Sequence, residues 1–144
     1  MLRSFGAIIA GLVAASIVAM VVQTMGHMMF PPPKEVQTAL QSKDAKVRGK
    51  AILEYLPDAP AGALLCIPLS WGMGTFAGCV LAARLSRRKQ MQHALIVGSV
   101  MMGCGILMLF AIPHPIWMTL LGIAVFPVAT WAGAKHVVRR PSTP

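Results

Sequence analysis

An all-α, membrane-embedded four-helix up-down bundle is the fold class this sequence predicts, and three observations predict it. Four apolar runs each approach or exceed the roughly 20 residues that a helix needs to cross hydrocarbon. The chain is 56% hydrophobic and 12% charged, with a mean hydropathy of +0.69, more apolar surface than a soluble domain of 144 residues can bury. The charged residues gather at the ends of the apolar runs. The formal charge of +9 would suit nucleic acid, but this placement suits anionic lipid headgroups. The lipid bilayer is therefore the expected partner, and nucleic acid is not one. The three cysteines lack CxxC spacing and give neither a disulfide framework nor a zinc signature.

The first expected span is Phe5 to Phe30, following "MLRS". It is too long for the apolar core of a signal peptide, and no A-x-A site precedes a polar mature start, so an uncleaved span is expected. The second span is Ala61 to Leu85, the third about Ala94 to Ile112, and the fourth Pro115 to Val138. Within lipid the backbone must satisfy its own hydrogen bonds, so each is a helix. The chain reads as a single integral membrane domain, 1–144, with an outer loop over 31–60, an inner loop over 86–93 and a tail over 139–144.

The outer loop predicts two short amphipathic helices that lie on the membrane surface or cap the bundle. Val36 and Leu40 share one face. Val47, Ile52 and Leu56 roughly continue another after Ser42, a candidate N-cap, and Pro57 ends it. The remaining connections are short, "RLSRRKQMQH" and "IPHPIW", so consecutive helices are antiparallel neighbours.

Four spans put both termini on one side of the membrane. Of the 13 Lys and Arg residues, eight fall on that side (Arg3, Arg84, Arg87, Arg88, Lys89, Lys135, Arg139, Arg140). Lys34, Lys43, Lys46, Arg48 and Lys50 fall on the other. The positive-inside rule predicts cytoplasmic termini. Trp117 and Trp131, near opposite ends of the fourth span, read as interfacial anchors. His93 and His136, beside arginines at inner helix ends, are expected in solvent or against headgroups.

Two stripes of small residues predict close helix packing. Ser70, Gly74, Gly78 and Ala82 recur every four residues on the second span, and Ala7, Gly11, Ala15 and Ala19 do so on the first. Two complementary stripes in one chain favour packing within the bundle over a dimer interface.

The chemistry-bearing stretch is "QTMGHMMFPPP". Gln23 and His27 share a face near the outer end of the first span, and Ser16 extends it inward. Polar groups at membrane depth are expensive, so this face is expected to point into the bundle. His114 is placed at the same surface, and Trp71 is placed to offer its N–H to Gln23. Three readings compete for this cluster. A copper or haem site would use His27 and His114 with Met25, Met28 or Met29, but no repeated ligand pattern supports it. A proton or solute path would use Ser16, Gln23 and His27, but transporters carry more intramembrane polar groups. The structural reading, in which the polar residues tie helix ends and the methionines fill gaps, is preferred. No cofactor is expected. No Ser-His-Asp set, phosphate loop or paired carboxylates argues for an enzyme.

Three stretches, "GHMMFPPP", "SWGMGTFAGCVLAARLSRR" and "IPHPIWMTLLG", resemble a group of small bacterial inner-membrane proteins with four predicted spans. The positions that carry the resemblance begin with Gly26, His27, Phe30, Pro31 and Pro32. They continue with Trp71, Gly74, Gly78, Ala82, Ala83 and Arg84, and end with His114, Pro115 and Trp117. Members often carry glutamate where Gln23 stands and glycine where Cys79 stands. The resemblance implies a bacterial inner-membrane location and no particular activity. The expected role is that of a non-catalytic accessory or structural protein that binds lipid, a second copy of itself, or another membrane protein.

Overall fold

A computed structural model describes residues 2–86, 89–112 and 115–138. Among these residues there are six α-helices and no strand. They run α1 (Leu2–Met29), α2 (Lys34–Leu40), α3 (Ala45–Tyr55), α4 (Ala61–Leu85), α5 (Gln90–Ala111) and α6 (Ile116–Val138), with a 3-10 turn at Leu56–Asp58. Four of them, α1, α4, α5 and α6, are long and apolar enough to cross a membrane. The 28 residues of α1 extend roughly 42 Å at 1.5 Å per residue, longer than the hydrocarbon layer. Part of α1 must therefore tilt or project beyond the lipid.

The spans begin and end close to the expected boundaries, with one correction. The third helix starts at Gln90 rather than near Ala94, which shortens the turn expected over 86–93. Lys89 makes the difference. It adopts a left-handed conformation (φ 60, ψ 38), and its carbonyl accepts the first backbone bonds of α5, from Gln92 and His93. The left-handed geometry reverses the chain in a few residues, so the helix can start sooner.

Pairs of close approaches give the topology. Gly11 lies against Gly78 and Ala82, Ala15 against Gly74, and Gly26 against Cys66, so α1 and α4 are antiparallel. Cys79 donates its S–H to the Ala94 carbonyl (3.3 Å), and Gly98 and Gly105 face Thr130 and Phe126. The two glycine contacts make α5–α6 antiparallel, and the short connection from Leu85 to Gln90 together with the Cys79–Ala94 bond makes α4–α5 so as well. The arrangement is not square. Helix α4 touches all three other spans, α5 fills the space beside it, and α1 and α6 do not pack on each other among the described residues. A concavity of about 380 Å³ separates them, lined by Val18 of α1, Met73 and Phe76 of α4, and Val125 of α6.

The α1–α4 seam is built from the two small-residue stripes. A Cβ on Gly78 would stand 2.5 Å from the Gly11 carbonyl oxygen and 2.8 Å from the Ala15 Cβ. The hydrogen in that position points at the carbonyl, a weak Cα–H···O contact worth about 0.5–1 kcal/mol. Backbones this close gain dispersion along the whole seam, which supplies association where the surrounding lipid is as apolar as the side chains. Ala15, Cys79, Ala82, Ala83, Ala94, Val97 and Ala134 are fully buried. Small residues dominate this core because large ones would force the helices apart.

Two short helices do form in the loop before α4. Asp44, not Ser42, is the N-cap of α3. Its carboxylate accepts from the Lys46 N–H at 2.8 Å, while Ser42 accepts from the Asp44 N–H at 3.2 Å. A side-chain oxygen must reach the second or third N–H of the helix, and Asp44 stands at that distance. Val47, expected on the apolar face, is exposed, whereas Ile52 and Leu56 turn inward. Leu56 anchors the loop by packing with Leu64 of α4 and Met118 of α6. Beyond that anchor, α2 and α3 pack mainly on each other.

Candidate functional site

The polar face expected on α1 does not turn inward as a unit. Ser16 is exposed, and its hydroxyl donates to the Leu12 carbonyl of the preceding turn (3.0 Å). That bond satisfies the hydroxyl locally and removes the need for a partner helix. Gln23 is half-buried, and His27 is exposed. Trp71 does not reach Gln23. Its ring stacks on Phe126 of α6, with centroids 5.6 Å apart and planes at 22°, and it lies over Gly122. His114 lies outside the described residues, so its expected approach to His27 does too.

Met28, considered with His27 as a soft metal ligand, is exposed. Among the described residues no three His, Cys, Asp or Glu side chains converge on one point. The three cysteines are all free, with Cys66 half-buried, Cys79 buried and Cys104 exposed.

His93 corrects another expectation. It is only 7% exposed, not solvated, and its Nδ1 lies 3.0 Å from the Lys89 carbonyl and 3.1 Å from the Ser86 hydroxyl. A serine hydroxyl beside an imidazole has the outline of a nucleophile and its base. The carbonyl decides against that use. It can only accept, so a hydrogen bond to it assigns the proton to Nδ1, and a protonated Nδ1 takes none from Ser86. The group braces the α4–α5 turn. His136 stays exposed, its ring tilted against Phe76 at 6.1 Å. Lys135 sits 4.1 Å over the Trp131 ring, a cation–π pair near the end of α6.

His27 does take part in a built feature, which sequence reasoning missed. A pocket of about 260 Å³ lies between the loop helices and the ends of the spans. His27 and Phe30 form one wall, Val36 and Leu40 of α2 the cover, and Ile52 and Tyr55 of α3 a second wall. Ala63, Leu64 and Ile67 of α4 form the floor, with Ile112 beyond the end of α5. The sequence places each wall for a local reason. Gly26 lets the last turn of α1 close on Cys66, where a Cβ would stand 2.8 Å from the Cys66 Cβ. Gly62 lacks a Cβ where the Phe30 ring sits. Pro33 and Pro60 flank the loop as the residues before α2 and α4. The cover stands away from the floor because Leu56 alone is driven deep into the bundle.

The pocket wall is aliphatic and aromatic, and His27 and Tyr55 supply its polar side-chain atoms. An engineered apolar cavity of about 150 Å³ holds a benzene ring, so this volume admits a larger apolar group. It is of the kind that takes an aliphatic segment rather than a polar metabolite. The signals for it were present in the sequence: an i,i+4 apolar pair in α2, an aromatic after "GHMM", and three small residues ahead of Leu64 at the start of α4. They are dispersed over positions 27–112, so periodicity within one helix could not assemble them.

Protein-family models, curated proteins and solved structures gave no match to this chain.

Proposed function

We propose that this chain is a non-catalytic accessory protein of the bacterial inner membrane that holds the aliphatic chain of a lipid. Both termini are cytoplasmic in this reading, and the pocket faces the outer leaflet. The observation that carries it is the apolar pocket of about 260 Å³ beneath α2 and α3. A folded chain does not leave such apolar walls facing water without cost. Filling them removes apolar area from water at about 25 cal/mol per Å². The excess of Lys and Arg beside the termini supports the orientation. A transport role has weaker support, because Ser16 faces outward and bonds its own helix.

The test is native mass spectrometry of the full chain released from nanodiscs formed with total bacterial membrane lipid, which contains single-chain amphiphiles beside two-chain lipids. The wild-type protein should carry one bound lipid. Ala63→Phe, which fills the floor of the pocket, should lose it while retaining its helical circular dichroism. A folded Ala63→Phe protein with undiminished lipid would contradict the proposal.

A further inference from the structure

We infer that the pocket's ligand is a single-chain amphiphile whose polar end accepts hydrogen bonds, the chemistry of a long-chain carboxylate. The inference rests on the lipid-binding reading above and adds the identity of the head and the number of chains. The pocket brings two donors, the imidazole of His27 and the phenol of Tyr55, to an otherwise apolar wall. Neither group has a hydrogen-bond partner among the described residues, although most polar side chains nearby are occupied. Gln37 donates to the Pro32 carbonyl, Thr38 to the Lys34 carbonyl, and Arg48 to the Ser42 carbonyl. His27, which is exposed, and Tyr55, which is half-buried, therefore present donors at the cavity that no described protein group occupies. Among the described residues no carboxylate lines the pocket.

The volume sets the tail. By comparison with the cavity of about 150 Å³ that holds the six carbons of benzene, the pocket of about 260 Å³ admits on the order of ten carbons, a segment of one chain. Two chains of that length do not fit together. His27 lies in the last turn of α1, where a span leaves hydrocarbon, so it stands at the depth of lipid headgroups. An acceptor head can meet His27 and Tyr55 there while its tail runs along Leu64, Ile67 and Val36. A two-chain lipid would have to leave one tail outside the pocket.

The experiment uses the full chain in phosphatidylcholine nanodiscs and two probes with the same photoreactive sixteen-carbon tail. One probe ends in a carboxylate. The other ends in trimethylammonium, which has no acceptor. Crosslinked peptides are counted by mass spectrometry. The inference expects the carboxylate to label the Ala63–Ile67 segment about ten-fold more efficiently than the ammonium probe, as two added hydrogen bonds would give. His27→Leu with Tyr55→Phe should bring the carboxylate down to the ammonium level and leave the ammonium probe unchanged. Equal pocket labelling by both probes, unaffected by that double variant, overturns the acceptor-head inference while leaving the lipid pocket standing. Labelling of the pocket by neither probe above the level at lipid-facing Phe110 overturns the pocket reading itself. Excess free dipalmitoyl phosphatidic acid should not displace the carboxylate probe. Full displacement by it overturns the single-chain assignment.

Discussion

Gly74 of α4 meets Ala15 of α1 so closely that a Cβ on Gly74 would stand 2.6 Å from the Ala15 carbonyl oxygen. The same Cβ would stand 3.0 Å from the Ala19 Cβ, so neither the backbone nor a neighbouring methyl can give way cheaply. Gly74→Val and Gly78→Val should each destabilise the bundle by about 1–3 kcal/mol, since the overpacked atoms meet main chain. Gly103, with nothing within 4 Å of its Cβ position, is the control. Gly103→Ala should leave stability unchanged or raise it by up to about 1 kcal/mol, through helix propensity. Unfolding midpoints in a mixed-detergent titration check all three.

The second prediction concerns Thr75, fully buried in α4 with a hydroxyl that has no partner among the described residues. Thr75→Val keeps the shape and removes the unpaired oxygen. It should stabilise the protein by about 1 kcal/mol. Thr75→Ser keeps the oxygen, deletes a methyl and should destabilise. The same titration separates the two outcomes.

These two sites show how unevenly the fold was legible. The stripes Ser70-Gly74-Gly78-Ala82 and Ala7-Gly11-Ala15-Ala19 could be read because a fourfold repeat of small residues is local and has one physical use in lipid. Span lengths were legible for the same reason, since hydrocarbon thickness sets them. The early start of α5 was not, because nothing in a lysine announces a left-handed φ. The inward turn expected of Ser16 failed on a local alternative, the Leu12 carbonyl one turn back. Trp71 was assigned to Gln23 by level in the membrane, but level does not choose between neighbouring helices. Its ring turned to Phe126 and the space over Gly122. The pocket joins His27 to Val36, Tyr55, Leu64 and Ile112, a relation that exists only after the chain has folded.

A third prediction follows from His93 and the carbonyl of Lys89. Nitrogen NMR of the labelled protein should find the His93 ring with its proton on Nδ1. His93→Ala should cost about 0.5–1.5 kcal/mol, because the side-chain hydrogen bonds that brace the α4–α5 turn are lost. It should leave lipid retention at the distant pocket unchanged. A proton confined to Nε2 would mean that the bond to Lys89 does not form.

The α3 cap supplies a fourth. Asp44→Ala removes the acceptor of the Lys46 N–H and should loosen α3 by about 1 kcal/mol. Faster amide exchange across Ala45–Tyr55, with the four spans unaltered, is the expected reading. Because α3 carries Ile52 and Tyr55 to the pocket, lipid retention should fall as well.

The account depends on a chain that crosses lipid four times and presents its pocket to the outer leaflet. Labelling of single cysteines tests this most directly, with Cys66, Cys79 and Cys104 replaced by alanine. A membrane-impermeant maleimide added to intact cells should modify Asp58→Cys beside the pocket. It should reach Ser4→Cys, near the N-terminus, only after permeabilisation. Labelling of Ser4→Cys alone in intact cells, or of both positions before permeabilisation, would contradict the account.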